Sequence, residues 1–319
     1  MVHPVVKLLV QRIALGLLLL FAASILIFAG TQILPGDVAQ SVLGQAATEQ
    51  ALENMRRQMG LDRPAYERYF DWLWGALQGD FGRALSNNAD IASSIQRRLG
   101  NTMFLAGVAA AISVPLAILL GLVAVRFRGR WPDNLISGTT LAAISVPEFL
   151  LGYIMMYFVG VQLGWFPTVA SVHGGMSFWQ KLNAVALPAL VLTMVVLAHM
   201  MRMTRAAILN VMQSAYIETA ELKGLRKLTI IARHAMPNSI APIVNVVMIN
   251  LAYLVVGVVV IEVVFVYPGM GQYLVDHVSK RDVPVVQACG LIFATVYIGL
   301  NMIADIVSIL ANPRLRHPK

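Results

Sequence analysis

An all-α, polytopic membrane protein with six transmembrane helices is the fold class this sequence predicts, and three observations predict it. The 319 residues are 58% hydrophobic and only 13% charged, with a mean hydropathy of +0.71, above the balance of a soluble chain. Apolar stretches of about 20 residues, the length a helix needs to cross a bilayer core of about 30 Å, recur between polar loops. Lys and Arg concentrate in the short loops beside those stretches, which reads as a topology signal and argues against a nucleic-acid partner despite the net charge of +8.

The first apolar run, Ile13 to Ala29, follows Lys7 and Arg12. Its 17 uncharged residues exceed the roughly 7 to 15 of a signal-peptide core, so it reads as an uncleaved first span. Five further spans are expected at about Thr102 to Val125, Leu135 to Leu163, Ala184 to Met201, Ile240 to Val266 and Val283 to Leu310. Six spans put both termini on one side. Fourteen of the 24 Lys and Arg fall in the loop set that includes the termini. Most of the other ten lie in one long segment, accompanied by eight acids and carrying less topological weight. Both termini are therefore expected in the cytoplasm.

The chain divides into an N-terminal segment with the first span (1–30), an extracytoplasmic helical segment (31–100) and a five-helix core (101–319) with a cytoplasmic loop at 205–239. In the outer segment Leu52, Met55 and Met59 recur at helical spacing before Gly60 and Pro64. Tyr66, Tyr69, Phe70, Leu73 and Leu77 then share a helical face, with Trp72 and Trp74 beside them and Gly79 and Gly82 ending the pattern. Such aromatic density suits a membrane interface. A small capping subdomain on the outer ends of the spans is the simpler reading, and a substrate-binding platform the alternative.

Motifs for chemistry are missing. The sequence has no G-x-x-x-x-G-K-[ST] phosphate loop, no H-E-x-x-H and no G-x-S-x-G, so no enzyme is expected, and any ATP must be handled by a partner. The single cysteine, Cys289, allows no intrachain disulfide, and His173, His199, His234 and His277 are scattered without metal spacing. Acids within apolar runs are the better functional candidates, because an ionised carboxylate in hydrocarbon is costly. Glu148 follows Pro147 inside the third span and is the candidate for a substrate pathway. Glu262 and Asp305 lie near span ends, could reach the interface, and read as structural. Pro115, Pro147, Pro188 and Pro242 within or at the ends of spans allow bent helices, which suit a gated pathway and equally any packed bundle. Met194, Met200, Met201 and Met203 could form an adaptable lining, with core packing the simpler account.

The long cytoplasmic loop is the most informative stretch. Tyr216-Ile217-Glu218-Thr219-Ala220-Glu221-Leu222-Lys223-Gly224-Leu225 reads as a short helix stopped by Gly224, followed by Arg226 and Lys227, with Pro237 marking a further boundary before the fifth span. Small Ala220 inside and acids outside would let this helix dock in a cleft of another protein; a plain connector is the alternative. Glu218-Thr219-Ala220, then Gly224, then His234-Ala235-Met236-Pro237 resembles the E-A-A-x-x-x-G loop with I-x-L-P ending of binding-protein-dependent ABC permeases, with Thr219, His234 and Met236 departing from the pattern. The Arg233-His234-Ala235 form resembles the dipeptide and oligopeptide branch. So do Leu34-Pro35-Gly36-Asp37, Gly60-Leu61-Asp62-Arg63-Pro64, Gly79-Asp80-Phe81-Gly82, Ser145-Val146-Pro147-Glu148-Phe149, Glu262 through Gly271, Arg281-Asp282-Val283-Pro284 and Asn312-Pro313-Arg314.

That resemblance implies the type I ABC importer permease fold in a bacterial inner membrane. It implies that Tyr216, Glu218, Thr219, Ala220, Gly224, Leu225 and Pro237 form the ATPase-coupling element, and that the mechanism is alternating access. Implied partners are a second, homologous permease as a heterodimer, two ATP-binding subunits that hold ATP and Mg, an extracytoplasmic solute-binding protein and the lipid bilayer. This chain itself would carry no cofactor. Dipeptides or oligopeptides are the implied substrate, with nickel complexes, glutathione or other small solutes as alternatives. An ATP-independent secondary transporter is the rival reading.

Overall fold

The computed structural model describes residues 4–33, 40, 47–58 and 60–311. Leu34 to Asp37, Met59 and Asn312 to Arg314, which the sequence reading used, lie outside the described residues. Eleven helices are named here in chain order. They are α1 (Pro4–Ile33), α2 (Glu49–Gln58), α3 (Ala65–Leu77), α4 (Ile91–Arg126), α5 (Trp131–Ser145) and α6 (Glu148–Gln162). They continue with α7 (Phe178–Met212), α8 (Ala215–Leu222), α9 (Lys227–Val264), α10 (Met270–Ser279) and α11 (Val283–Ala311). Five of these, α1, α4, α7, α9 and α11, are individually long and apolar enough to cross a membrane.

The third expected span differs from the expectation. Leu135 to Leu163 is not one helix: α5 and α6 meet at a 101° bend at Val146-Pro147. The proline ring excludes Val146 from helical conformation, and Val146 is extended at φ −90°, ψ 127°. Pro147 then caps the start of α6. Pro115, Pro188 and Pro242, by contrast, lie inside continuous helices. Pro237 is also not a boundary. α9 runs through it from Lys227, and the turn before it, Ile230–Ala235, widens to π geometry. Proline has no N–H to give the carbonyl one turn back, and a wider turn accommodates that loss.

The expected segment boundary at residue 100 falls inside α4, which begins at Ile91, so residues 91–100 continue directly into the second span. Asp90 caps α4 by accepting from Ser93 N at 2.8 Å, and that bond holds its carboxyl below the usual carboxylate range.

α4 and α7 form the most extensive helix pair. With α9 they enclose a core of Leu105, Ala109, Leu187, Val191, Met200, Met201, Val258 and Ile261. Met200 and Met201 pack in it, whereas Met194 and Met203 stay exposed. α1 packs on α11 and touches α3. Ser24 Oγ lies 2.8 Å from Tyr69 OH, and Gln287 Nε2 donates to Thr31 Oγ1 at 2.7 Å. On α3 the packed face is Tyr69 with Trp72, against Phe28. Tyr66, Phe70 and Leu77 from the expected face remain exposed, because only one edge of this short helix meets α1.

The two ends of the bundle are distinct. At one end Arg12 of α1 pairs with Asp305 of α11 at 3.0 Å, so the ends of the first and last spans nearest the two termini meet there. At the other end Ala84, Ile91 and Ile95 pack on α10 and on Val285, Ala288 and Cys289 of α11.

Candidate functional site

The short helix α8 sits between α7 and α9 and is held from beneath. Ile217 and Ala220, three residues apart on one face, are 1% and 5% exposed. They pack with Val125, Ile208, Ile230, Ile231, Ala235 and Ile243 from three spans. Tyr216, Glu218, Thr219, Glu221 and Leu222 form the open side, Leu222 at 82% exposure. An exposed leucine next to two acids on a helix anchored from behind has the form of a docking surface.

The C-terminus of α8 explains why glycine stands at 224. Gly224 N bonds Glu221 O at 2.8 Å, Leu225 N bonds Ala220 O at 3.3 Å, and Gly224 takes φ +74°. This is a Schellman closure, in which the left-handed residue satisfies the last carbonyls of the helix. Thr219 donates its hydroxyl to Ala215 O at 3.0 Å. The polar group is thereby turned back onto the helix, so the threonine offers mainly its methyl, close to the alanine it replaces. Pro237 lies in α9, beyond the wide turn, and outside α8. Leu225 closes the turn. The structure thus brings Tyr216 to Leu225 together and leaves Pro237 as part of the helix that supports them.

Two residues that the sequence reading did not single out lock the surroundings. Arg205 of α7 holds Asp133 of α5 bidentately, Nε to Oδ1 at 2.9 Å and Nη2 to Oδ2 at 2.8 Å. Asp133, 4% exposed, also accepts from Gly129 N at 3.0 Å. Arg205 had counted only as a loop cation. In the structure it lies two turns inside α7, and Pro132 then Asp133 at the start of α5 was the available signal of a helix N-terminus. The pair ties the end of α7, which leads into α8, to the helix that ends at the Val146-Pro147 bend.

Glu148 stands at that bend as the first residue of α6. It is half-buried, within electrostatic reach of the Tyr253 hydroxyl on α9, and makes no hydrogen bond or ion pair among the described residues. A carboxylate at a helix N-terminus is favoured by the backbone dipoles there, and a broken helix is where membrane transporters expose backbone polar groups to a cavity.

Glu262 departs from expectation. It does not reach the interface but is fully buried, accepting from Thr102 Oγ1 at 2.6 Å, Gly271 N at 2.6 Å and Gln272 N at 3.2 Å. Thr102 Oγ1 in turn accepts from Met270 N at 2.8 Å. Asn101 Nδ2 donates to Pro268 O at 2.9 Å, and Tyr267 OH to Asn101 O at 2.7 Å. A side chain at Gly269 would collide with the Glu262 carboxylate. The Glu262 to Gly271 motif is therefore a knot that fastens the α9–α10 turn to α4, and burial pushes the Tyr267 phenol up. Asp282 acts likewise, accepting from Leu85 N and Ser86 N at 3.1 and 2.9 Å. Asp305 pairs with Arg12. Among the described residues no three His, Cys, Asp or Glu are gathered for a metal ion.

Five helices long and apolar enough to cross a membrane, a bent helix pair that is a candidate sixth crossing, and a surface helix braced between α7 and α9 define a polytopic helical membrane protein. The family model described as "Binding-protein-dependent transport system inner membrane component" matches residues 113–317, and its N-terminal companion, "Binding-prot-dependent transport system membrane comp, N-term", matches residues 5–106. The chain belongs to this family, the permeases of ABC importers. It is 35% identical over 298 residues to the glutathione transport system permease protein GsiC of Escherichia coli strain K12, covering 93% of this chain and 95% of the relative. The GsiC proteins of Shigella dysenteriae serotype 1 and Shigella flexneri serotype 5b match with the same identity and coverage.

Proposed function

We propose that this permease imports short peptides, that α8 is its coupling helix, and that the α8 end of the bundle faces the cytoplasm with both termini. ATP-driven closure of two ATPase subunits carries α8 with it, and α7 and α9, rooted beneath it, move the spans between inward-open and outward-open states. A ligand or contact shifts such an equilibrium only by its differential affinity for the two states. The braced geometry of α8, with Ile217 and Ala220 buried and Tyr216, Glu218 and Leu222 presented, is the observation that carries this reading. A second, homologous permease completes the pathway, and an external binding protein delivers the substrate. Glu148, without a hydrogen-bond or ion-pair partner among the described residues and placed at the bend of the third span, is the pathway candidate.

The peptide assignment rests on the motif resemblance together with the relatives' printed substrate, since glutathione is itself a tripeptide. The test has two arms. Cys289 is fully buried, so Leu222→Cys provides a single accessible thiol. In vesicles holding the whole complex, a short bismaleimide should join it to a cysteine at the mouth of the ATPase cleft, with a yield that changes on adding ATP. No crosslink in any nucleotide state would reject the docking role. In proteoliposomes with the cognate binding protein, uptake of labelled dipeptides, tetrapeptides and glutathione is compared; uptake of none of them, with ATP hydrolysis intact, would reject the peptide class.

A further inference from the structure

The end of α4 and the first turns of α9 flank an apolar groove of about 320 Å³. Leu122 and Val123 of α4 and Phe127 just beyond its end line one side, and Leu228, Ile231, Ala232 and Met236 of α9 the other. The wide turn Ile230–Ala235 forms one wall. Its volume is at the lower end of the range for small-molecule sites, about 300 to 1,000 Å³. A polar solute would leave its hydrogen bonds unmade on these apolar walls, whereas a hydrocarbon chain would not.

The single charged lining residue is Arg126. Its guanidinium lies 5.2 Å from the centre of the Phe127 ring and has no carboxylate partner among the described residues. Every residue from Leu99 to Val125 is uncharged, so Arg126 is the first charge where the apolar length of α4 ends, at the depth of lipid headgroups. Arg128 and Arg130 follow it, and Arg226 and Lys227 directly precede Leu228 on the other wall; all four are exposed. The acids of this end do not line the groove: Asp133 is held by Arg205, and Glu218 and Glu221 are on the open side of α8. A hydrocarbon slot with an unneutralised guanidinium at its mouth, framed by cations, complements one molecule in particular among membrane components.

We propose that this groove binds an anionic phospholipid, one acyl chain lying between α4 and α9 and the phosphate held by Arg126. Juxtamembrane cations and basic pockets between spans attract such headgroups. Because α9 leads directly out of the turn beneath α8, the bound lipid would brace the same segment that supports the docking helix.

The experiment uses the whole transporter in nanodiscs of phosphatidylcholine and phosphatidylglycerol in equal amounts, with retained lipid counted by native mass spectrometry after gentle extraction. Wild-type complex should retain phosphatidylglycerol in preference to phosphatidylcholine. Arg126→Gln should lower that preference about fivefold, the order of one juxtamembrane cation's attraction, and Ala232→Trp, which fills the slot, should lower retention of both lipids. Assembly of each variant is checked by its ATP hydrolysis, and Ala232→Leu replaces the tryptophan variant if that one fails to assemble. Equal retention of the two lipids by wild type, or an Arg126→Gln preference identical to wild type, would overturn the proposal. So would a photocrosslinker at Leu228 that captures another polypeptide of the complex instead of lipid.

Discussion

Gly224 is the residue on which the docking helix depends most visibly. A side chain there meets open space, so substitution costs backbone strain alone, about 1 to 2 kcal/mol for an L-residue held at positive φ. Gly224→Val should therefore leave membrane insertion intact but lower the ratio of solute transported to ATP hydrolysed in proteoliposomes; a wild-type ratio would refute the assignment. Thr219→Ala should change neither, because the hydroxyl is spent on Ala215. Thr102 is the opposite case. Thr102→Val removes the donor to Glu262 and the acceptor for Met270 N together, and should cost about 1 to 3 kcal/mol, read as a lower unfolding midpoint in detergent.

Among the elements, the Asp133–Arg205 bridge between α5 and α7 makes a sharper prediction than its charge alone suggests. Asp133→Ala strands a partly buried guanidinium and should cost about 3 kcal/mol, whereas the double replacement Asp133→Leu with Arg205→Met should recover most of the stability. If the double variant is stable but poorly coupled, the bridge serves motion; if coupling returns as well, it serves stability alone. Here the sequence was least legible. The pairing joins residues 72 positions apart, and no local pattern reports such a contact. Glu262 was read as structural, but its full burial was not foreseen for the same reason: its partners Thr102 and Gly271 come from another span and from the turn beyond. By contrast α8 was legible to within a residue or two, because an amphipathic register and a terminal glycine are local signals. Pro147 signalled that the third span could bend, but not the 101° turn itself, because hydropathy measures composition and is blind to the direction of the chain at Val146-Pro147.

For the whole molecule, the candidate crossings, five long helices and one bent pair, were legible because hydrocarbon imposes one length on every crossing. The side on which each end lies makes a direct prediction. A cysteine at Trp74, 66% exposed on α3, should react with a membrane-impermeant maleimide in intact cells, and one at Leu222 only after the cells are opened. The reverse pattern would invert the topology. The fully buried Cys289 should contribute no background to either measurement.

The wide turn at Ile230–Ala235 has a consequence for the arithmetic of the chain. A π turn closes over five residues where an α turn closes over four, so α9 carries one residue more than its two faces require. Removing one exposed residue there, Ala232, should return the turn to α geometry and leave both flanking faces in register. Removing one at Val255 should rotate everything before it by about 100° relative to Val258, Ile261 and Glu262, the angle one residue occupies in a helix of 3.6 per turn. A transporter that tolerates the first deletion and is destroyed by the second would show that the surplus residue is slack held in reserve between the docking helix and the span it steers.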